Sequence, residues 1–301
     1  MYELVTILGP TAGGKTSVAA HLACKLGGEV ISGDSRQLYR GMSIGTGKDL
    51  ADYAVSGVQI PYHLIDIVDA GYRYSVYEYV RDFRKAYEDI RSRGKMPVLC
   101  GGSGMYVEAA VTGYSLVEVP PDEQLREELE LLSAEELIAK LAALKKLHNA
   151  TDLDSRKRII RAIEIALHSQ EAPIPQMPPI NNLYVGILFD RETRRNRITE
   201  RLHARLREGM VNEVQQLLDS GMAPENIIYY GLEYKFITEY LIGKLEYHGM
   251  VEKLNIAIHQ FAKRQMTWFR GMERKGAVIH WIDGFLPMEE KLLQVEQLMN
   301  R

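Results

Sequence analysis

Residues 4–16 read Leu4-Val5-Thr6-Ile7-Leu8-Gly9-Pro10-Thr11-Ala12-Gly13-Gly14-Lys15-Thr16, and the fold is decided there. The first five residues are apolar or β-branched, as in a strand buried on both faces. Gly9–Thr16 then fits G-x-x-x-x-G-K-[ST]. The backbone N–H groups of such a loop, at the positive end of the helix that follows, cradle a di- or triphosphate. Lys15 would neutralise phosphate charge and Thr16 would hold Mg2+. A helical pattern from Thr16 to Leu26 completes the strand–loop–helix unit that the motif requires.

Working outward, Glu29–Ser32 is a second short strand, Tyr62–Ile67 a weaker one, Val76–Arg91 a helix, and Met96–Cys100 a strand ending at Gly101-Gly102. Strands alternating with helices predict parallel βαβ units and a sheet covered on both faces. Around Gly113 the texture changes. Pro120-Pro121 opens a stretch of strong helix formers that runs to about Gln170, and Ser133-Ala134-Glu135-Glu136 within it matches a capping box. Pro173–Pro179 breaks the chain, Leu183–Phe189 returns as a buried strand, and helices dominate until Val278–Trp281. The expected fold is an α/β parallel-sheet core of the P-loop NTPase type, residues 1–114 plus 182–301, interrupted by a helical insertion at 115–181.

The 301 residues are 46% hydrophobic and 26% charged, which excludes wholesale disorder, collagen and a coiled-coil rod. Two cysteines, Cys24 and Cys100, cannot build a disulfide framework, and both lie in apolar runs as small core residues. No stretch approaches the ~18 apolar residues of a membrane helix. Met1-Tyr2-Glu3-Leu4 lacks the basic region of a signal peptide, so a cytoplasmic protein with no membrane partner is expected. The net charge of −3 argues at first against nucleic acid, but the charge is segregated. Glu118, Asp122, Glu123, Glu127, Glu128, Glu130, Glu135 and Glu136 face a single base, Arg126, whereas Arg156-Lys157-Arg158 with Arg161, Arg191 to Arg207, and Lys263 to Lys275 are basic. Local stripes matter more than the total for binding phosphates.

The phosphate loop does not name the reaction. ATPases of this class usually end another apolar strand in a magnesium-binding Asp, and Met96–Cys100 ends instead in Gly101-Gly102-Ser103. Glu29–Ser32, however, runs into Gly33-Asp34-Ser35-Arg36-Gln37. Carboxyl ends of parallel strands line the ligand crevice, so Asp34 belongs beside the loop as a general base, as an outer-shell partner of a metal, or as a turn-forming cap. On a helical wheel of Asp154–His168, Ile159, Ile160, Ile163 and Leu167 share one side and Lys157, Arg158 and Arg161 the other, a face that solvation alone would also explain. Arg197, Arg201 and Arg205 recur every fourth residue, and three like charges on one stripe point to an anionic partner. Lys263, Arg270 and Arg274 share a face with Arg264, Trp268 and Phe269 interleaved, a combination suited to unpaired bases, although Phe269 reads better as core. The histidines lie singly, without metal-ligand spacing.

GPTAGGKT at Gly9–Thr16, Asp34-Ser35-x-Gln37-x-Tyr39 followed by Gly41-Met42-x-Ile44-Gly45-Thr46-Gly47-Lys48, and Gly101-Gly102-Ser103-x-x-Tyr106 resemble the tRNA dimethylallyltransferases. Arg158-x-x-Arg161-Ala162-x-Glu164 and Ala262-Lys263-Arg264-Gln265-x-Thr267-Trp268-x-Arg270 continue the resemblance in the family's order over nearly the whole chain. The resemblance implies transfer of a dimethylallyl group from its diphosphate to N6 of the adenosine 3′ of the anticodon, position 37, with Mg2+ assisting. It also implies a P-loop core whose helical insertion grips the anticodon stem-loop; a monomer is expected. Asp34 corresponds to the general base. Gly9, Pro10, Thr11, Ala12, Gly13, Gly14, Lys15 and Thr16 correspond to the diphosphate loop, with Thr16 the magnesium ligand, and Arg201 to the arginine that stabilises the leaving diphosphate. The tRNA-contacting positions match Asp34, Ser35, Arg36, Gln37, Ser103, Arg126, the run Lys157-Arg158-Ile159-Ile160-Arg161, Lys263, Arg264, Trp268 and Arg270. Gly231-Leu232-Glu233-Tyr234 departs from the usual Gly-Tyr-Arg/Lys, which puts a tRNA contact there in doubt.

Three other readings remain open on the residues alone. A small P-loop kinase would use Gly9–Thr16 but has no need of separated basic stripes. A transferase acting on free adenine nucleotides would share the loop and Asp34 without the Lys263–Arg270 segment. A non-catalytic RNA-binding module would leave Lys15, Thr16 and Asp34 idle.

Overall fold

A computed structural model describes residues 2–113, 119–144, 155–171 and 178–300. Glu118, His148, Asp154 and residues 173–177 of the proline-rich segment lie outside them. The chain divides into two units, Met1–Thr112 with Pro179–Arg301, and Gly113–Pro178, divisions a few residues from those drawn on composition.

In the larger unit, β1 (Leu4–Leu8), α1 (Lys15–Leu26) and β2 (Glu29–Ser32) follow the opening pattern, and both strands are wholly buried. Two short strands, β3 (Ala54–Val55) and β4 (Val58–Gln59), pair as an antiparallel hairpin, and β5 (Tyr62–His63) joins the main sheet. The expected strand to Ile67 stops early because Leu64 and Asp66 adopt φ of 60° and 55°, and Ile67 and Val68 then donate to Leu38 O instead. α2 (Val76–Ser92), β6 (Pro97–Gly101) and α3 (Gly104–Thr112) complete the first half. A capping box between Ser75 and Glu78 starts α2.

The smaller unit holds α4 (Glu123–Glu130), α5 (Ala134–Leu144) and α6 (Arg156–Glu171). Its core gathers Leu129, Leu137, Leu141, Ile159, Ile160 and Ile163. The capping box read at Ser133 is present, with Ser133 N–H donating to Glu136 Oε2 at 2.7 Å and Glu136 N–H to Ser133 Oγ at 3.2 Å. Glu164, 2% exposed, accepts from Arg126 Nε at 2.8 Å, Arg161 Nη1 at 3.0 Å and Asp122 N–H at 3.1 Å. Burial works to raise its pKa, but the hydrogen bonds from Arg126 and Arg161 outweigh it and the net direction is down.

The chain then returns through β7 (Asn182–Leu188), α7 (Arg191–Arg207), α8 (Met210–Asp219), α9 (Pro224–Ile228), α10 (Leu232–Leu241), α11 (Tyr247–Arg274), β8 (Ile279–Asp283) and α12 (Met288–Met299). The six-stranded sheet has the order β5-β2-β6-β1-β7-β8 with every pairing parallel. β1 lies between β6 and β7, with Leu8 opposite Gly101 and Gly186. β2, next in sequence after β1, lies beyond β6. The exits of β1, β2 and β6 therefore converge at one edge, the usual place of the ligand crevice in such sheets. No described helix is long and apolar enough to cross a membrane.

Candidate active site

The loop after β1 is shaped by glycine. Gly9 takes φ 148°, where a Cβ would stand 2.6 Å from Ile187 O of the neighbouring strand, and Gly14 takes φ 72° as the N-cap of α1. Lys15 Nζ donates to Pro10 O at 2.8 Å, and Arg197 Nε donates to Ala12 O at 3.0 Å. Two outward carbonyls are thus occupied by cations.

A cavity of about 630 Å3 opens at this edge. It brings Thr11, Lys15 and Thr16 together with Asp34, Ser35, Arg36 and Gln37 from the β2 exit and Ser103 from the β6 exit. Arg201, Arg264 and Trp268 also line it. Enclosure lowers the Lys15 pKa, and Arg201 pushes the same way, while Cys100, Asp34 and Asp49 oppose. Arg201 is lowered too, by burial first and then by Arg205. Burial pushes the Cys100 thiol up to about 12, so this cysteine is a neutral wall residue, whereas Cys24 is half-buried in α1.

Asp34 combines a turn with a place on the cavity wall. Its Oδ1 accepts the Arg36 N–H at 3.0 Å, as a turn-forming Asp does, and the residue also lines the cavity. Ser103 Oγ accepts the Ser35 N–H at 3.1 Å, tying the exits of β2 and β6 together. Gln37 is 9% exposed and spent at both ends of its amide, accepting from Ser32 Oγ at 2.8 Å and donating to Gly47 O at 2.9 Å. Trp268 lies against the Gly104 backbone and donates through Nε1 to Glu108 at 2.9 Å, which holds its ring in orientation. Phe269 is fully buried, as its core reading required.

The positions that the resemblance matches to tRNA contacts separate into groups. Lys263, Arg264 and Arg270 are exposed on α11, but of these only Arg264 lines the cavity. Lys157 and Arg158 are exposed on α6 of the smaller unit. Ile159 and Ile160 require a correction: at 3% and 4% exposure they are core of that unit, and their side chains are not available to tRNA. Arg126 and Arg161 hold Glu164, so each carries a structural duty that the sequence reading did not assign.

Several site residues had no role in the sequence reading. Asp49 accepts from Arg205 Nη2 at 3.2 Å and lies 3.9 Å from Arg201 Nη1. The four-residue spacing of the arginine stripe points Arg205, with Arg197 and Arg201, to an anionic partner, and the anion Arg205 meets is this carboxylate of its own chain. Glu213 of α8 accepts the N–H groups of Ser43, Ile44 and Gly45 at 2.7, 2.8 and 2.9 Å and the Tyr234 hydroxyl at 2.6 Å, clamping the glycine-rich segment. No local pattern predicts that clamp. The departing Glu233 also lines the cavity, and burial raises its pKa against the opposing pull of Arg205 and Arg201. Magnesium chemistry suits the donors present. Mg2+ favours hard oxygens, few protein ligands and substrate phosphates, and Thr16, Asp34 and Asp49 line one cavity, with Asp49 also accepting from Arg205.

A family model described as IPP transferase matches residues 37–272, and one described as isopentenyl transferase matches residues 2–62. A Parabacteroides distasonis protein named tRNA dimethylallyltransferase 1 is 59% identical over 301 residues, 99% of this chain and 98% of its own. A Geotalea daltonii protein of the same name is 52% identical over 294 residues, 97% and 94% of the two chains. The crystal structure of a tRNA isopentenylpyrophosphate transferase from Bacillus halodurans superposes with a TM-score of 0.73 at 32% identity, covering 100% of this chain and 96% of that one. A eukaryotic dimethylallyltransferase acting on tRNA shares the fold at 22% identity with a TM-score of 0.80, covering 100% of this chain and 80% of that one. Motifs, cavity and relatives agree along the length of the chain, and the chain belongs to the IPP transferase family.

Proposed function

We propose that this protein transfers a dimethylallyl group from dimethylallyl diphosphate to N6 of adenosine-37 in tRNA and releases diphosphate. The observation that carries the reading is the shared cavity: a phosphate loop with Lys15, a strand-end carboxylate at Asp34, a second cation at Arg201, and Trp268 and Arg264 on the same wall.

An adenine stacked in a loop cannot present N6, so it must flip into the cavity at a cost of a few kcal/mol. N6 then bonds to C1 of the dimethylallyl group as the C1–O bond to diphosphate breaks, and the electron pair of that bond leaves with the diphosphate. Lys15, the loop N–H groups and Arg201 face the charge that grows on the leaving oxygens. Asp34 accepts the N6 proton as the nitrogen loses its lone pair to carbon. Thr16 would hold Mg2+, which when bound supplies further neutralisation of the diphosphate. Lys157, Arg158, Lys263, Arg264 and Arg270 remain as exposed phosphate-binding candidates for the anticodon stem-loop. A cytoplasmic monomer suits an enzyme that meets tRNA there.

The test is to incubate the protein with labelled dimethylallyl diphosphate and, separately, tRNA or AMP, with a parallel series using labelled ATP. Label should enter tRNA from dimethylallyl diphosphate alone. Label in AMP would establish the free-nucleotide transferase, and consumption of ATP the kinase.

A further inference from the structure

We propose that Gln265 is the positioning residue that sets the diphosphate loop, a role that rests on the diphosphate-binding reading above. Gln265 stands on α11, 6% exposed, 254 residues from the loop in sequence. Its Oε1 accepts the Thr11 N–H at 2.8 Å, and its Nε2 donates to Gly102 O at 2.9 Å. Thr11 and Gly102 lie just past the ends of β1 and β6, which run side by side as far as the Leu8–Gly101 pair. Beyond that pair the strand ladder stops, and one side-chain amide bridges the two loops in its place.

The bridge bears on the part of the loop that most needs support. Ala12, next to Thr11, holds φ 58°, a left-handed conformation costly for a residue with a Cβ unless its surroundings over-determine it. Gln265 pins the Thr11 N–H on one side of Ala12, Arg197 takes the Ala12 carbonyl, and Lys15 takes the Pro10 carbonyl. A cradle held in advance does not have to be ordered by its ligand, so affinity for diphosphate gains. The side chain must offer an acceptor and a donor on one planar group at this reach. Asn is a methylene shorter, an ionised Glu has no donor, and Lys and Arg have no acceptor. Gly102 makes the matching space, because a Cβ there would stand 2.6 Å from Gln265 Nε2 while its next neighbours are at 3.4 and 3.6 Å.

The experiment measures the Kd for inorganic pyrophosphate by calorimetry, the KM and kcat with dimethylallyl diphosphate, and tRNA affinity, in Gln265→Ala, Gln265→Met, Gly102→Ala and the double variant Gln265→Ala/Gly102→Ala. Each Gln265 variant leaves the Thr11 N–H without its partner, and should weaken pyrophosphate and raise KM roughly ten-fold. Values of kcat within about threefold of the parent and unchanged tRNA affinity are expected, since both amide hydrogen bonds of Gln265 go to loop backbone. Gly102→Ala should harm the parent by displacing the amide, yet add little to Gln265→Ala, where the clashing group is gone. Gln265→Met fills nearly the same volume and decides the matter should the alanine variant not fold. Parental pyrophosphate affinity in folded Gln265→Met, additive losses in the double variant, or an equal loss of tRNA affinity would overturn the proposal. Pyrophosphate binding needs no prenyl transfer. A protein that binds it with this dependence but modifies no tRNA would sink the proposed function and leave the Gln265 assignment standing.

Discussion

The proposed chemistry turns on two residues, Asp34 and Lys15. Asn at position 34 keeps an acceptor for the Arg36 N–H, so the turn survives and only the base is lost. Asp34→Asn should therefore bind tRNA almost as the parent does while kcat falls about 10²–10⁴-fold; a kcat within twofold would remove Asp34 from the chemistry. For Lys15 the sign follows from burial. Enclosure favours the neutral amine, so the pKa is lowered and the ammonium is lost as pH rises, earlier than for an exposed lysine. The alkaline limb of kcat/KM for dimethylallyl diphosphate reports the free enzyme and should fall below the ordinary lysine range. Lys15→Arg should abolish that limb, whatever its effect on rate, because a guanidinium stays charged. An unchanged limb in the arginine variant would assign the titration to another group.

At the scale of elements, the basic helices serve two ends at once. α7 sends Arg197 to the phosphate loop and Arg201 and Arg205 toward Asp49, so the charge of that one stripe is directed at the site. On α6 the apolar side packs the smaller unit, and the opposite side is divided between Arg161, bound to Glu164, and the exposed Lys157 and Arg158. Glu164→Gln keeps the shape but loses charge-assisted hydrogen bonds to two arginines, at a cost of about 1–3 kcal/mol. Because the folded pKa is lowered, this stability is present above the unfolded carboxylate pKa and is lost as pH falls through the folded value. The gap in unfolding free energy between parent and variant should thus be full at pH 7 and close in acid. A pH-independent gap would show that the carboxylate charge contributes nothing.

For the whole molecule, the division into units separates chemistry from a second basic surface. The cavity is built entirely from the larger unit, whereas Lys157 and Arg158 belong to the smaller. Each phosphate neutralised on tRNA binding releases counterions, so affinity must weaken with salt. Replacing Lys157 and Arg158 together by Ala should flatten the slope of log K against log salt by about 1–2 units and leave the KM for dimethylallyl diphosphate unchanged. Arg161 is unsuited to this test, since its loss would also unsettle Glu164. A folded double variant with the parental salt slope would assign this face to solvation.

Local sequence was enough for whatever depends on neighbouring residues. The run Leu4–Leu8, the glycines at 9 and 14, Lys15, and the apolar period of α6 each encode their conformation within a few positions, because sterics and hydrophobic patterning act at that range. The strand-end placement of Asp34 was legible for the same reason. Tertiary structure alone decided who meets whom. Arg126 and Arg161 read as free basic side chains until Glu164 is seen between them. Gln265 reaches Thr11 across 254 residues, and Glu213 reaches the Ser43–Gly45 backbone across 168 to 170. Such contacts satisfy buried hydrogen-bonding groups wherever the chain packs them, and no periodicity records which distant side chain will supply the partner.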